Sequence, residues 1–331
     1  MDHKKNVTAL ATRAHEASRW PLPDEPLASV SCPLCEGARC RTLFYGCDRM
    51  FGRPGYYPVV QCEDCALKYV NPRPTFEALG RHYPDNYFPV RLPDTKSPMQ
   101  ELFSRVLFAM RWEGYIKTAE KLIGRIPAEA KVVDVGCGLN HLLVRLEQLR
   151  GCRGLGIELK PETVAYIRER QGMPVSSGTL EDAHLDAGSV DLVTMNEYLE
   201  HEPEPLRVLR EARRISKKGA HLIIEVPYIG GLTARVFGSR WSQLDVPRHL
   251  AFFTPDTLND ILRRSGYRLV QAKPFGVPFS IGVSVLNALG FKNLGEASLL
   301  DVFLIGLAGA PFLLLSPWLH EFLFVVARAE D

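Results

Sequence analysis

KVVDVGCGLN, residues 131–140, is a short apolar run that ends in two glycines one residue apart, and the amphipathic stretch NHLLVRLEQLR (140–150) follows directly. An apolar run closed by glycine predicts a buried strand, and the spacing after it predicts a helix. Gly136 and Gly138 let the backbone turn sharply and approach a ligand closely, and the helix N-terminus presents unpaired N–H groups. Asp134, two residues before the first glycine, is placed to fix the loop or meet a cationic ligand. Glu158 ends the next apolar run, RGLGIE, 20 residues after Gly138. A glycine loop followed by an acid at the end of the next strand is the arrangement that holds a nucleoside, with the acid accepting from the ribose hydroxyls. Two other readings stay open on this loop alone: a tight strand-to-helix turn without a ligand, and a pyrophosphate cradle. The second would need a third glycine at 141, where His141 stands.

Outward from the loop, strands and helices alternate. MQELFSRVLFAMRWEGYIKTAEKLI predicts a long helix before the first strand, and PETVAYIRERQ a helix with Pro161 and Glu162 in its first turn. PVSSG, VDLVTMN, HLIIEVPY, YRLVQAKPF and FLFVVARA predict further strands, and EPLRVLREARRIS a helix. TPDTLNDILRRSG predicts a helix with Thr254 as N-cap and Gly266 as C-cap. Seven strands with intervening helices predict an α/β doubly wound sheet.

The ordered motifs resemble those of class I S-adenosylmethionine-dependent methyltransferases. D-V-G-C-G (134–138) is similar to the first motif of that family, Glu158 to its ribose-binding acid, and G-T-L-E-D (178–182) to the segment beside the adenine. MNEYLEHEPEP (195–205) resembles the segment after the fourth strand, and RWSQLDVPRHLAFFTPDTL resembles a stretch of an uncharacterised bacterial branch. One departure is Asn140, which stands where the family loop has its third glycine. The resemblance implies a Rossmann-like seven-stranded sheet with an antiparallel last strand and helices on both faces. It implies S-adenosyl-L-methionine as cofactor, with Asp134, Gly136, Cys137, Gly138, Asn140, Glu158, Thr179, Leu180, Asn196 and Glu197 as its binding residues.

Four of the eight cysteines form Cys32-x-x-Cys35 and Cys62-x-x-Cys65, with 26 residues between the pairs. Four thiolates at this spacing predict a closed, structural Zn2+ site in a small zinc-ribbon-like module. Such a module has little core of its own, and the metal would help hold it folded. Iron or a redox pair is the alternative. Cys40, Cys47, Cys137 and Cys152 lack paired spacing and read as small buried residues. These divisions predict a leader at 1–30, the cysteine module at 31–75, linker and N-terminal helices at 76–130, and the methyltransferase domain at 131–331.

For chemistry, His201 follows the fourth strand, at the sheet edge where ligands bind in open α/β folds, and is a candidate base. His249 is a second, in a polar cluster with Trp241, Asp245 and Arg248. Arg248 holds an anionic acceptor group in one reading and forms a packed Arg–Asp pair in the other. Tyr83, Tyr87 and Phe88 read as an aromatic wall near a sulfonium, or as a hydrophobic joint.

Between the sixth and seventh strands, within an insertion at 277–320, VFLIGLAGAPFLLLSPWL (302–319) runs 18 residues without a charge. Gly306, Gly309, Pro311 and Pro317 argue against a straight span. Two short helices, dipping into one membrane leaflet or capping the acceptor site, fit better. A small-molecule, sugar or lipid-linked acceptor follows from this. The alternatives are an RNA methyltransferase guided by the cysteine module, and a non-catalytic cofactor-binding relative. The net charge of +2, and only a mild excess of Arg39, Arg41, Arg49, Arg53, Lys68 and Arg73 in the module, argue against nucleic acid. The polar start of the chain has no apolar signal run, which predicts a cytoplasmic protein, or one peripheral on the inner membrane face.

Overall fold

The computed structural model describes residues 20–84, 98–291, 299–312, 315 and 319–330, with backbone alone for 98–108 and 299–303. Most of the predicted leader, together with Tyr87 and Phe88, lies outside these residues. Strands occur at β1 Leu27–Ala28, β2 Cys40–Gly46, β3 Tyr57–Cys62, β4 Lys68–Val70, β5 Arg73–Pro74, β6 Lys131–Val135, β7 Arg153–Glu158, β8 Val175–Ser177, β9 Val190–Asn196, β10 Ser216–Pro227, β11 Ala251–Phe252, β12 Tyr267–Phe275 and β13 Phe322–Ala329. The helices are α1 Phe76–Gly80, α2 Pro98–Ile123, α3 His141–Arg150, α4 Pro161–Tyr166, α5 Pro205–Ile215, α6 Leu232–Phe237, α7 Pro255–Arg264, α8 Pro278–Ala288 and α9 Leu299–Gly309.

The chain divides into two compact units. One holds Met1–Pro84, Thr233–Phe252 and Pro278–Leu315; the other holds Asp85–Leu232, Phe253–Val277 and Ser316–Asp331. The second unit is the seven-stranded sheet, ordered β12-β13-β10-β9-β6-β7-β8. Strands β8, β7, β6, β9 and β10 pair in parallel, whereas β13 inserts antiparallel between β10 and β12. All seven expected strands are present, and the last is antiparallel as the family resemblance implies. The central strands are mostly apolar because both their faces are covered, with Asp134 and Glu225 as buried exceptions. Helix α3 buries Leu142, Leu143 and Leu146, and α5 buries Val208, Leu209, Ala212 and Ile215. Each Leu, Val or Ile among them contributes about 1.5–3 kcal/mol.

Two expected helices differ in detail. The 161–171 stretch is α-helical only to Tyr166 and continues as a π-helical turn, Ile167–Gln171. Helix α7 has the predicted Thr254 N-cap, reinforced by a capping box with Thr257. Its C-cap is Ser265, and Gly266, one residue later, takes the left-handed conformation at φ +85°.

The other unit is built on a four-stranded sheet ordered β11-β4-β3-β2, with a small β1–β5 ladder. The insertion is helical, as α8 and α9, and groups with this unit. Hydrogen bonds from the 240–243 loop to α8 account for that grouping.

Candidate cofactor site and metal centre

The glycine loop folds over the end of β7: Gly136 N and Cys137 N both donate to Ile157 O, at 2.9 and 3.1 Å. The seat exists because β7 is RGLGIE. A Cβ at Gly156 would stand 2.5 Å from Cys137 Sγ, and one at Gly154 would stand 3.1 Å from Leu143 Cβ. The loop itself needs left-handed backbone, with φ +71° at Gly136 and +50° at Gly138. A Cβ at Gly136 would strike the Tyr198 ring at 2.5 Å. Asn140 adopts φ +61° at the N-cap of α3, so asparagine meets the backbone demand that glycine meets in the family loop. Its side chain is fully buried and makes no hydrogen bond among the described residues.

Glu158 closes the floor of the site. Its Oε2 accepts from Gly138 N at 3.0 Å and its Oε1 from Lys160 N at 2.9 Å. Burial raises its pKa, opposed by these amides. Each oxygen keeps a lone pair for a further donor, which is the capacity two ribose hydroxyls require. Gly178 N donates to Glu158 O at 3.0 Å, bringing the 178–182 segment alongside. There Thr179 bonds Asp182 Oδ2 through both N and Oγ1 at 2.8 Å, and Leu180 is buried.

Asp134 lies opposite Thr194 in the β6–β9 register. Thr194 Oγ1 and Asn196 Nδ2 donate to its Oδ1, at 2.6 and 3.3 Å. Burial nonetheless pushes its pKa up to about 7, with Glu158 adding to the rise. Asn196 Oδ1 is a buried acceptor with no donor among the described residues. Glu197 follows at φ +50°, its N–H donating to Glu225 O at 2.8 Å. The ten cofactor candidates thus come together at the carboxyl ends of β6, β7, β8 and β9. Orphaned buried polar atoms and a glycine cradle are what a polar, nucleoside-sized cofactor would complete, so the residues fit S-adenosyl-L-methionine.

Sequence reading missed two residues beside this set. Arg111, on α2, donates to Glu225 Oε1 at 2.7 Å and lies 3.5 Å from Glu197 Oε1. Glu225 is 1% exposed in the middle of the sheet. The signal was present, because HLIIEVPY carries one carboxylate inside an otherwise apolar strand.

His201 ends a 3₁₀ turn, Leu199–His201, just after β9, and is half-buried. His249 belongs to the other unit, where its Nδ1 lies 2.8 Å from Gln243 O. A carbonyl can only accept, so Nδ1 carries a proton. Burial lowers its pKa.

Arg248 does not hold an external anion. Its guanidinium, 0% exposed, is bracketed by Asp48 (Nη2–Oδ1 2.8 Å, Nη1–Oδ2 3.1 Å) and Asp245 (Nε–Oδ2 2.9 Å, Nη2–Oδ1 2.5 Å). Its Nη1 also donates to His82 O at 3.3 Å. Burial alone would raise Asp48, but hydrogen bonds from His82 and Arg248 pull it well below the carboxylate range. The packed-pair reading is the one this geometry matches. Tyr83, in the same unit, donates to Arg248 O at 3.5 Å.

The two cysteine pairs sit on matching turns. Cys32 N donates to Gly37 O and Cys62 N to Leu67 O, both at 2.9 Å, while Glu36 N and Ala66 N donate back to Cys32 O and Cys62 O. The residue after each pair, Glu36 or Ala66, takes φ +63°. This brings Cys32 Sγ to 3.5 Å from Cys65 Sγ, and Cys35 Sγ to 3.5 Å from Cys62 Sγ. All four sulfurs lie within 4.8 Å of one another. A tetrahedral ion with Zn–S bonds of about 2.3 Å needs S–S separations of about 3.8 Å, and the cluster brackets that value. The site fits zinc.

Residues 109–272 match the model of a methyltransferase-domain family. Among curated proteins, the chain is 28% identical over 157 residues to a ubiquinone biosynthesis O-methyltransferase of Cupriavidus pinatubonensis, covering 44% of this chain and 63% of that one. A protein of the same name from Xanthomonas axonopodis pv. citri is 38% identical over 104 residues, covering 30% and 43%. An uncharacterized 37.1 kDa protein in transposon TN4556 of Streptomyces fradiae is 28% identical over 166 residues, covering 48% and 46%. The chain spans about half the length of the curated relatives it matches. Among solved structures, a phosphoethanolamine N-methyltransferase of Haemonchus contortus in complex with S-adenosyl-L-methionine superposes with a TM-score of 0.48 at 14% identity, covering 66% of this chain and 53% of that one. The ordered motifs, the sheet order and this family match identify residues 109–272 as a methyltransferase domain of the class I, S-adenosylmethionine-dependent type.

Proposed function

We propose that the chain transfers a methyl group from S-adenosyl-L-methionine to a small-molecule, sugar or lipid-linked acceptor by in-line displacement. The observation that carries this reading is Glu158, a buried carboxylate braced by two backbone amides beneath a left-handed glycine loop. When bound, the cofactor supplies a sulfonium-activated methyl group. Glu158 would accept from the ribose hydroxyls, and Gly136, Cys137, Gly138 and Asn140 would line the approach. Thr179 and Leu180 would flank the adenine, and Asp134, Asn196 and Glu197 would receive the polar remainder. Fixing these groups in advance is how a protein without a reactive residue of its own accelerates a displacement. His201 and His249 are the candidate bases for an acceptor proton, and burial lowers the pKa of His249.

Relatives named as ubiquinone biosynthesis O-methyltransferases support a hydroxyl acceptor on a small molecule. Cys32, Cys35, Cys62 and Cys65 would hold Zn2+ as a closed site with a structural role. The test is to incubate the chain with methyl-labelled cofactor and fractionated metabolite, lipid and RNA extracts. Label in a metabolite or lipid fraction supports the reading. Label confined to RNA overturns the acceptor class, and label that never leaves the cofactor overturns methyl transfer.

A further inference from the structure

Beyond Tyr166, helix α4 gives way to the π-helical turn Ile167–Gln171, closed by Gly172 N donating to Ile167 O at 3.1 Å, five residues back. A π-turn takes one residue more than the α-turn it replaces, so the side chains beyond it point in new directions. The turn is anchored on both sides. Ile167 is 0% exposed in the core of the sheet unit, and Arg168 Nη2 donates to Val175 O on β8 at 3.0 Å.

The side chain this turn presents is Gln171, whose Nε2 donates to Leu139 O at 2.9 Å. That oxygen belongs to the peptide unit between Leu139 and Asn140, in the glycine loop. The N–H of the same unit donates to Cys137 O at 2.8 Å. The unit is therefore held at both ends, once from within the loop and once from outside it. Glu158 holds the neighbouring stretch through Gly138 N, at 3.0 Å. Together Glu158 and Gln171 brace a segment that must keep left-handed backbone at Gly138 and at Asn140, with φ +50° and +61°.

The Gln171 bond does little for stability. Its Oε1 is buried without a donor among the described residues, and both polar atoms of the Asn140 side chain are buried without partners as well. A buried polar atom left unpaired costs at least what one neutral hydrogen bond returns, and ordering a glutamine side chain adds to that cost. An arrangement that gains no stability yet fixes one peptide points to what that peptide lines.

We propose that Gln171 is a positioning residue for the cofactor, holding the 139–140 peptide in the orientation that S-adenosyl-L-methionine requires. The inference rests on the reading that this loop binds that cofactor. Without the bond the loop populates other conformations, and the apparent affinity falls with the fraction that stays competent.

Calorimetric titration of wild type and Gln171→Met with S-adenosyl-L-methionine, beside denaturant unfolding, tests it. The variant should bind about fivefold more weakly, the worth of one neutral hydrogen bond. Its unfolding midpoint should stay the same or rise, because the unpaired oxygen is gone. Gln171→Glu keeps the shape, loses the donor at neutral pH and should bind as weakly. Hydrogen exchange at the Asn140 amide should quicken in Gln171→Met while β6 and β7 amides keep their protection, and saturating cofactor should slow it again. Wild-type affinity in both variants overturns the proposal. So does an affinity loss matched by an equal loss of stability, because Gln171 would then only brace the fold. A folded wild type that binds no cofactor overturns the reading of the loop itself, and the proposal with it.

Discussion

Asp134→Asn removes a carboxyl that burial holds up at about 7, against an ordinary 3.8. Between those two values the native wild type keeps a proton that the unfolded chain has released. Its stability therefore falls as pH rises, by about 1.4 kcal/mol per unit. Across the roughly three units of the window the ceiling is about 4 kcal/mol, and water reaching the site would trim it toward about 2. Above pH 7 both states are ionised and the loss is complete. The asparagine cannot ionise, and its Oδ1 still accepts from Thr194 Oγ1 and Asn196 Nδ2, which reach that atom in the wild type at 2.6 and 3.3 Å. The variant should gain on the wild type by about 1 kcal/mol per unit through this window and hold a constant advantage beyond it. Hydrogen exchange of the β6 and β9 amides, followed against pH without cofactor, reads the stability of the sheet unit directly. Saturating cofactor should narrow the difference, because a cationic ligand beside Asp134 favours its ionised form. Parallel wild-type and variant curves would refute the reasoning, since Asp134 would then be ionised in the native state throughout.

Asn140→Gly should keep cofactor affinity and stay within about 1 kcal/mol of the wild type, because glycine accepts φ +61° and a buried amide without partners is lost; Asn140→Val should cost more, as denaturant midpoints will show. Arg248→Met leaves Asp48 and Asp245 buried without their cation and should destabilise the cysteine unit by about 3–5 kcal/mol, a loss read by exchange at β3 amides that shrinks at low pH as the carboxyls take up protons. The purified chain should carry one zinc, lost in Cys62→Ser, with chelation destabilising the cysteine unit while β6 and β9 amides keep their protection; elemental analysis beside exchange checks this.

What could be read along the chain was local. Strands β6, β9, β10 and β13 are largely apolar, whereas β12 mixes Arg268, Gln271 and Lys273 with its apolar residues and was read from its place after a capped helix. Asn140 was visible as a departure, and its left-handed backbone explains why asparagine is tolerated there. The π-turn at Ile167–Gln171 was not visible, since α- and π-helical turns share the same apolar spacing over five residues. Arg248 shows the limit from the other side. Its partner Asp245 is three residues away and was noticed, whereas Asp48 is 200 residues earlier and only the fold brings it within 2.8 Å. Arg111 was hidden in the periodicity of a long helix, and its role comes from Glu225, 114 residues later.

The central claim is that the glycine loop and Glu158 hold S-adenosyl-L-methionine. Calorimetric titration of the full chain with that cofactor tests it most directly, with Glu158→Ala alongside. Saturable one-to-one binding is predicted, weakened in the variant by about 100-fold or more for two lost hydrogen bonds to a charged acceptor. Absence of binding by the folded wild type, or equal binding by Glu158→Ala, would contradict it.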